Sequence, residues 1–221
     1  MSTESDAKAA NENKKVSIYK EVVPLAAGIL SDNSKLSKEK MIRSLHISVL
    51  GLTKNGQGRP IEDLKLFLIQ ANQYGLNPFK KEIYATYVWD SARGREELVP
   101  IVSIHGLRKL ARQGGVYTHT GAATVELDEN KKIVSATVPV FGQWKKGDTP
   151  VEVTRYTAML EEFIRTKKDG STTKMWSEKT RLMLIKCAEA NAIRQGFDIS
   201  GIFIEEEIAS ESVIETEEDK G

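Results

Sequence analysis

Lysine and arginine side chains are the groups through which this 221-residue chain is best equipped to do chemistry. They cluster as Lys80-Lys81, as Arg93 and Arg95, as Arg108, Lys109 and Arg112, and as Lys145-Lys146. A longer series, Arg165, Lys167, Lys168 and Lys174, runs on into Lys179, Arg181 and Lys186. Groups of this kind suit a polyanion, because each can neutralise one phosphate and release its counterion. Between Arg155 and Arg194 nine basic residues face five acidic ones. The formal net charge is only +1, but Glu205–Gly221 holds eight acids against Lys220 alone, which leaves 31 basic and 23 acidic residues over 1–204. A basic body with an acidic tail is a common pattern for nucleic-acid contact. A single cation is more often a solvated surface charge, so the weight lies in their joint placement at turns and along one helix. Aromatic residues make up 7% of the chain, so contact with a phosphate backbone is expected rather than a row of stacking platforms. Tyr84, Tyr87 and Trp89 are read as core.

Constellations for bond-making chemistry are absent from the sequence. His46, His105 and His119 share no H-x-x-x-H or H-x-H spacing. Cys187 stands alone, which excludes an intrachain disulfide framework and a cysteine-based zinc cluster. Glu161 and Glu162 are adjacent after a strand pattern and would point to opposite faces, so they do not form a nuclease pair. Ser103 and His105 lack a nucleophile-elbow context. No G-x-x-x-x-G-K-[ST] loop is present to cradle a nucleotide. The expectation is a protein that is not an enzyme and uses no cofactor or metal. No apolar run approaches the roughly 18–20 residues that span a bilayer, and the first fifteen residues lack an apolar signal segment. A soluble cytoplasmic protein is expected, and 40% hydrophobic residues suffice for a packed core.

The elements that must position these cations follow from periodicity. Residues 1–15 read as a disordered leader. Val16–Leu30 reads as a helix kinked at Pro24, and Ser37–Leu52 as a helix with Met41, Leu45 and Val49 on one stripe. Thr53–Arg59 is a connector. Pro60 suits a first helical position, Leu64, Phe67, Leu68 and Ala71 share a face, and Gly75 with Pro78 marks the stop. From Glu82 the period shortens to two, giving a strand, the turn Asp90–Arg95 and a returning strand Glu97–Ile104. Ser103 can cap a short helix with Leu107, Leu110 and Ala111 inward, ended at Gly114-Gly115. Val116–Leu127 and Lys132–Phe141 read as a hairpin, followed by a strand at Val151–Leu160 and a polar loop at Lys167–Thr173. The helix Ser177–Gly196 is apolar around its whole circumference, which marks it as buried on more than one side. Lys179 and Lys186, seven residues apart, would lie about 20° from each other on one stripe of it.

Ala71–Ala85, reading ANQYGLNPFKKEIYA, resembles the signature of phage single-strand annealing proteins of the RecT/Bet family, of the Red-beta type. The resemblance continues through VPIVSIHGLRKLA at Val99–Ala111, PVEVT at Pro150–Thr154, Trp176 and RLMLIKCAEANAIRQGF at Arg181–Phe197. It ends on Ile202-Phe203 and Glu205-Glu206-Glu207, and so covers about Ser37 to Ile208. This chain departs from the family where Leu107 replaces a common tryptophan and where the glycine Gly106 follows His105 instead of an aspartate.

The resemblance implies ATP-independent binding of single-stranded DNA and annealing of complementary strands in recombination, by a homo-oligomeric ring or helical filament. It implies an α+β fold of antiparallel hairpins packed on the long C-terminal helix, with helices before it. Residues 16–208 would then be one annealing domain, with 16–75 a helical oligomerisation part, 80–200 the DNA-binding core and 209–221 an acidic tail. Partners implied are single-stranded and annealed duplex DNA, a phage exonuclease and a host single-strand binding protein. Because the chain stops soon after the matched region, a separate partner-recruiting C-terminal domain is expected to be missing or reduced. A passive single-strand-binding module is the alternative reading, and a small metal-dependent nuclease lacks its constellation.

Overall fold

The computed structural model describes residues 19–27, 29, 37–53, 56–167 and 169–204. The expected leader, the acidic tail and Lys168 lie outside the described residues. Two compact units divide the chain, Met1–Ala85 and Thr86–Gly221.

In the first unit, α1 spans Lys38–Leu50 and α2 spans Ile61–Tyr74. Ser37 starts α1, its hydroxyl accepting from the Lys40 amide at 3.3 Å and so satisfying one of the amides a helix leaves free at that end. Ile42, Leu45, His46 and Leu50 are buried, so the inward stripe is turned by one residue from Met41–Leu45–Val49. On α2 the expected face, Leu64, Phe67, Leu68 and Ala71, is fully buried. Pro60 stands just before the helix in an extended conformation (ψ 143°), not in its first turn. Gly75 ends it at φ 65°, a left-handed conformation that favours glycine. Of the helix expected at Val16–Leu30, the described residues hold a helical start at Tyr19 and Lys20, whose turn closes with the Val23 amide donating to the Tyr19 carbonyl at 3.2 Å, and then a 3-10 turn at Pro24–Ala26. It packs on α2, with Val22, Ala26 and Ile29 buried and the Asn72 amide donating to the Leu25 carbonyl. The Tyr19 hydroxyl bonds His46 Nδ1 at 2.9 Å; burial holds His46 below the usual imidazole range, partly offset by the Arg59 backbone and the Asp63 charge.

The chain enters the second unit along β1 (Ile83–Asp90), which pairs with β2 (Arg95–Val102). After Ser103, whose hydroxyl accepts from the Gly106 amide at 3.2 Å, α3 runs Ile104–Gln113. Then come β3 (Tyr117–Thr120), β4 (Thr124–Leu127), β5 (Ile133–Gly142) and β6 (Val151–Met159), all antiparallel to β5 where they pair with it. β6 runs along one edge of β5; β3 and β4 share the other, where a single strand Val116–Leu127 was expected. The break has a physical cause. Pro139 of β5 accepts from the Gly121 amide at 2.9 Å but has no N–H to return, so the ladder on that edge lapses between Thr120 and Thr124.

The remaining helices are α4 (Leu160–Phe163), α5 (Lys174–Glu178) and α6 (Thr180–Phe197). α6 packs on β5 and β6 with one side and on α3 with another. That is why four consecutive positions, Cys187, Ala188, Glu189 and Ala190, are all buried, as an apolar circumference requires. The fold is therefore α+β, with antiparallel strands on a long C-terminal helix. No helix among the described residues is long and apolar enough to cross a membrane.

Candidate nucleic-acid interface

Lys80 and Lys81 belong to the first unit and ride on a tightly specified turn. Asn77 Oδ1 accepts from the amides of Phe79 (2.9 Å) and Lys80 (3.3 Å), while Glu82 Oε2 reaches back to the Asn77 amide at 2.8 Å. Pro78 starts a 3-10 turn through Lys80, and Lys81 follows it at φ 55°. A lysine in this left-handed region costs about 1–2 kcal/mol relative to ordinary helical backbone. Both ammonium-bearing residues are exposed.

In the second unit, Arg93 and Arg95 stand at the β1–β2 tip, but acids of the same hairpin hold them. Glu97 Oε1 lies 3.2 Å from Arg93 Nη1 and 2.7 Å from Arg95 Nε, and Asp90 is 3.6 Å from Arg93 Nε. The arginines draw the Glu97 carboxyl below its usual range. Trp89, expected in the core, is 52% exposed beside them; of its neighbours Tyr87 is buried and Tyr84 half-buried.

On α3 the three expected cations part company. Arg112 is exposed, its guanidinium carbon 5.3 Å from the Tyr117 ring centre, and Lys109 is half-buried. Arg108 turns inward. Its Nε and Nη2 donate to Glu189 Oε1 and Oε2 at 2.7 and 2.9 Å, a bidentate pair that holds the guanidinium strongly protonated. Thr120 Oγ1 donates to the same Oε1 at 2.7 Å, and the Tyr117 hydroxyl, 2.9 Å from Thr120 Oγ1, completes the chain. Arg108 thus joins α3 and β3 to α6, with two of its guanidinium nitrogens committed to Glu189. The sequence carried a signal for this network in Glu189, a lone carboxylate in the most apolar half of its helix.

The densest exposed cations lie between α4 and the middle of α6. Thr166 and Thr172 form a bridge, the Lys167 amide donates to the Ser171 carbonyl at 2.7 Å, and the Thr173 amide to Arg165 at 2.9 Å, so the loop doubles back on itself. Ser171 donates to Asp169 through its hydroxyl (2.6 Å) and amide (2.9 Å), which lowers the Asp169 carboxyl pKa. Trp176, 2% exposed, anchors α5 among Ala136, Val138, Ala158, Met183, Leu184, Cys187 and Ala188. α5 and α6 are separate helices, because Lys179 leaves helical geometry (φ −131°, ψ 32°) between them. Lys179 stands exposed at the elbow as the residue that opens α6, its carbonyl accepting from the Met183 amide at 3.0 Å, and Lys186 is half-buried on α6. Near Lys186 on α6, Arg181 and Leu182 are exposed, while Ile185 is half-buried against the core. Among the described residues no side chain caps the α6 N-terminus, whose first amides and dipole favour an anion. Lys167, Lys174, Lys179 and Arg181 are exposed along this stretch, and Arg165 is half-buried.

Among the described residues, no group of three or more His, Cys, Asp or Glu is placed to hold a metal ion. Comparison with known proteins finds that the family model described as RecT family matches residues 61–220. A curated relative, Recombination protein bet of Escherichia phage lambda, is 28% identical over 149 residues, 67% of this chain and 51% of that protein. The chain spans about half the length of that relative.

Proposed function

The chain belongs to the RecT family, and from that premise we propose that it binds single-stranded DNA and anneals complementary strands without ATP, as a homo-oligomer along the DNA. The observation that carries this reading is the row of exposed cations Lys167, Lys174, Lys179 and Arg181, flanking an uncapped helix N-terminus on an elbow that Trp176 fixes. Two strands repel through their phosphates, and pairing needs bases free to meet. A protein that grips one backbone through cations lowers the first barrier and leaves the bases accessible. Stacking in the product, about 1.4 kcal/mol per base-pair step, then drives the exchange with no chemical step and no nucleotide.

The deciding experiment is annealing of complementary oligonucleotides by the purified chain, with and without ATP and EDTA. Acceleration in all conditions is expected. A dependence on ATP or on divalent metal would overturn the proposal, and binding without acceleration would leave a passive single-strand-binding module. Affinity should fall steeply with salt, with a log–log slope of about −0.7 for each phosphate neutralised.

Lys81 gives a sharper test, because its backbone and side chain pull in opposite directions. Lys81→Gly relieves the left-handed strain, offset in part by the freer unfolded chain of glycine. Stability is expected to hold or to rise by up to about 1 kcal/mol, while affinity for single-stranded DNA falls. A Lys81→Gly protein that binds as well as the original would remove this lysine from the interface.

A further inference from the structure

The loop joining β5 to β6 has a composition and a geometry that the cation series above does not use. Trp144 is 64% exposed, more than any other large hydrophobic side chain among the described residues. It is followed by Lys145 and Lys146, also exposed. The loop that holds them is built rather than slack. The Gln143 amide donates to the Val116 carbonyl at 2.8 Å, and the Asp148 amide to the Lys145 carbonyl at 3.1 Å, closing a four-residue turn. Gln143 Nε2 spans the loop to the Asp148 carbonyl at 2.9 Å. An indole therefore stands in water on a pinned turn, with two ammonium groups next to it in the chain.

The β1–β2 tip makes the contrast. It too carries an exposed tryptophan, Trp89, with two cations, but Asp90 and Glu97 hold both arginines in ion pairs. Lys145 and Lys146 have no acidic partner within salt-bridge distance among the described residues, and the one acid of their turn, Asp148, does not reach them. A pinned aromatic face with adjacent unpaired cations complements a base and its flanking phosphates.

We infer that the β5–β6 turn is a second contact for single-stranded DNA, in which Trp144 stacks on a base and Lys145 and Lys146 take the neighbouring phosphates. This rests on the DNA-binding reading above and adds to it a base-dependent component that a purely phosphate-tracking surface lacks. Stacking is tolerant of sequence, so the contact would not select among sites.

The test compares the full chain with Trp144→Ala, Trp144→Phe and the double variant Lys145→Ala/Lys146→Ala. Each is titrated against an oligothymidylate and an abasic strand of equal length, by fluorescence anisotropy. Trp144→Ala is expected to weaken oligothymidylate binding about tenfold and to leave abasic binding unchanged, with Trp144→Phe recovering much of the loss. The lysine double variant should weaken both and reduce the salt slope by about 1.4. Trp144→Ala that binds both strands like the original, or that loses both equally, overturns the stacking contact while the annealing proposal stands. An original chain that binds neither strand overturns both.

Discussion

Glu189→Ala is expected to destabilise the second unit by about 3 kcal/mol, the low end of the range for breaking a buried ion pair. Glu189 is 5% exposed and accepts three hydrogen bonds, two from Arg108 and one from Thr120. Removing the carboxylate leaves a guanidinium and a hydroxyl without their acceptor inside the contact between α3, β3 and α6. The Arg108 side chain keeps 32% exposure, so water can solvate it in part, which sets the expectation at the low end. Replacing both partners, Arg108→Met with Glu189→Leu, should recover most of the loss, because no charge is then stranded. Urea unfolding of the two variants checks this. A Glu189→Ala midpoint equal to the original would mean that the network contributes nothing net.

The same residue marks the boundary of what the sequence made legible. Apolar periodicity identified α6 as buried all round, and the structure bears this out from Cys187 to Ala190, where sheet and α3 close on it. Periodicity ranks positions by hydropathy, however, and cannot pair a carboxylate with an arginine 81 residues away. Arg108 was therefore read with Lys109 and Arg112 as one basic cluster, although Arg108 pairs with Glu189 while Arg112 is exposed. Local signals fared better. Ser37, Ser103 and Gly75 each cap a helix as their chemistry dictates, because a cap is satisfied within three or four residues.

Two other departures have causes outside the segment's own pattern. The break between β3 and β4 arises from Pro139 on the opposite strand, a pairing that could be drawn only once the register was known. Lys179 leaves the helix because Trp176 docks α5 into the core ahead of it, so two helices meet where one pattern ran through. For the site, the sequence located the basic clusters but not their state. Arg93, Arg95 and Arg108 are held by carboxylates, and Lys167, Lys174, Lys179 and Arg181 stand exposed. Trp144 went unmarked because a single aromatic residue in a polar loop carries no period.

Gly142→Ala is expected to cost about 3 kcal/mol, the upper end of what overpacking a filled core typically costs. A Cβ at Gly142 would lie 2.7 Å from Val153 Cγ2, 2.9 Å from Val116 Cγ1 and 3.2 Å from the Val116 carbonyl oxygen. Both neighbours are β-branched and stiff about χ1, and the third is backbone, so none can simply swing aside. Val153 is confined from the other side as well, since a Cβ on Gly196 of α6 would meet its Cγ1 at 3.4 Å and Thr154 Cγ2 at 2.6 Å. Two absent side chains, one on β5 and one on α6, thus make the space in which this part of β6 sits. Val153→Ala removes the shortest of the three contacts and should rescue Gly142→Ala in part, the contacts to Val116 remaining. The effect should reach the β5–β6 turn, because the Val116 carbonyl that a new Cβ would crowd also accepts from the Gln143 amide at 2.8 Å. Amide exchange of Gln143 in Gly142→Ala is expected to accelerate more than global destabilisation explains. Unchanged stability in Gly142→Ala would show that Val116 and Val153 can yield the space, and the close packing of β5 on β6 would then need no glycine.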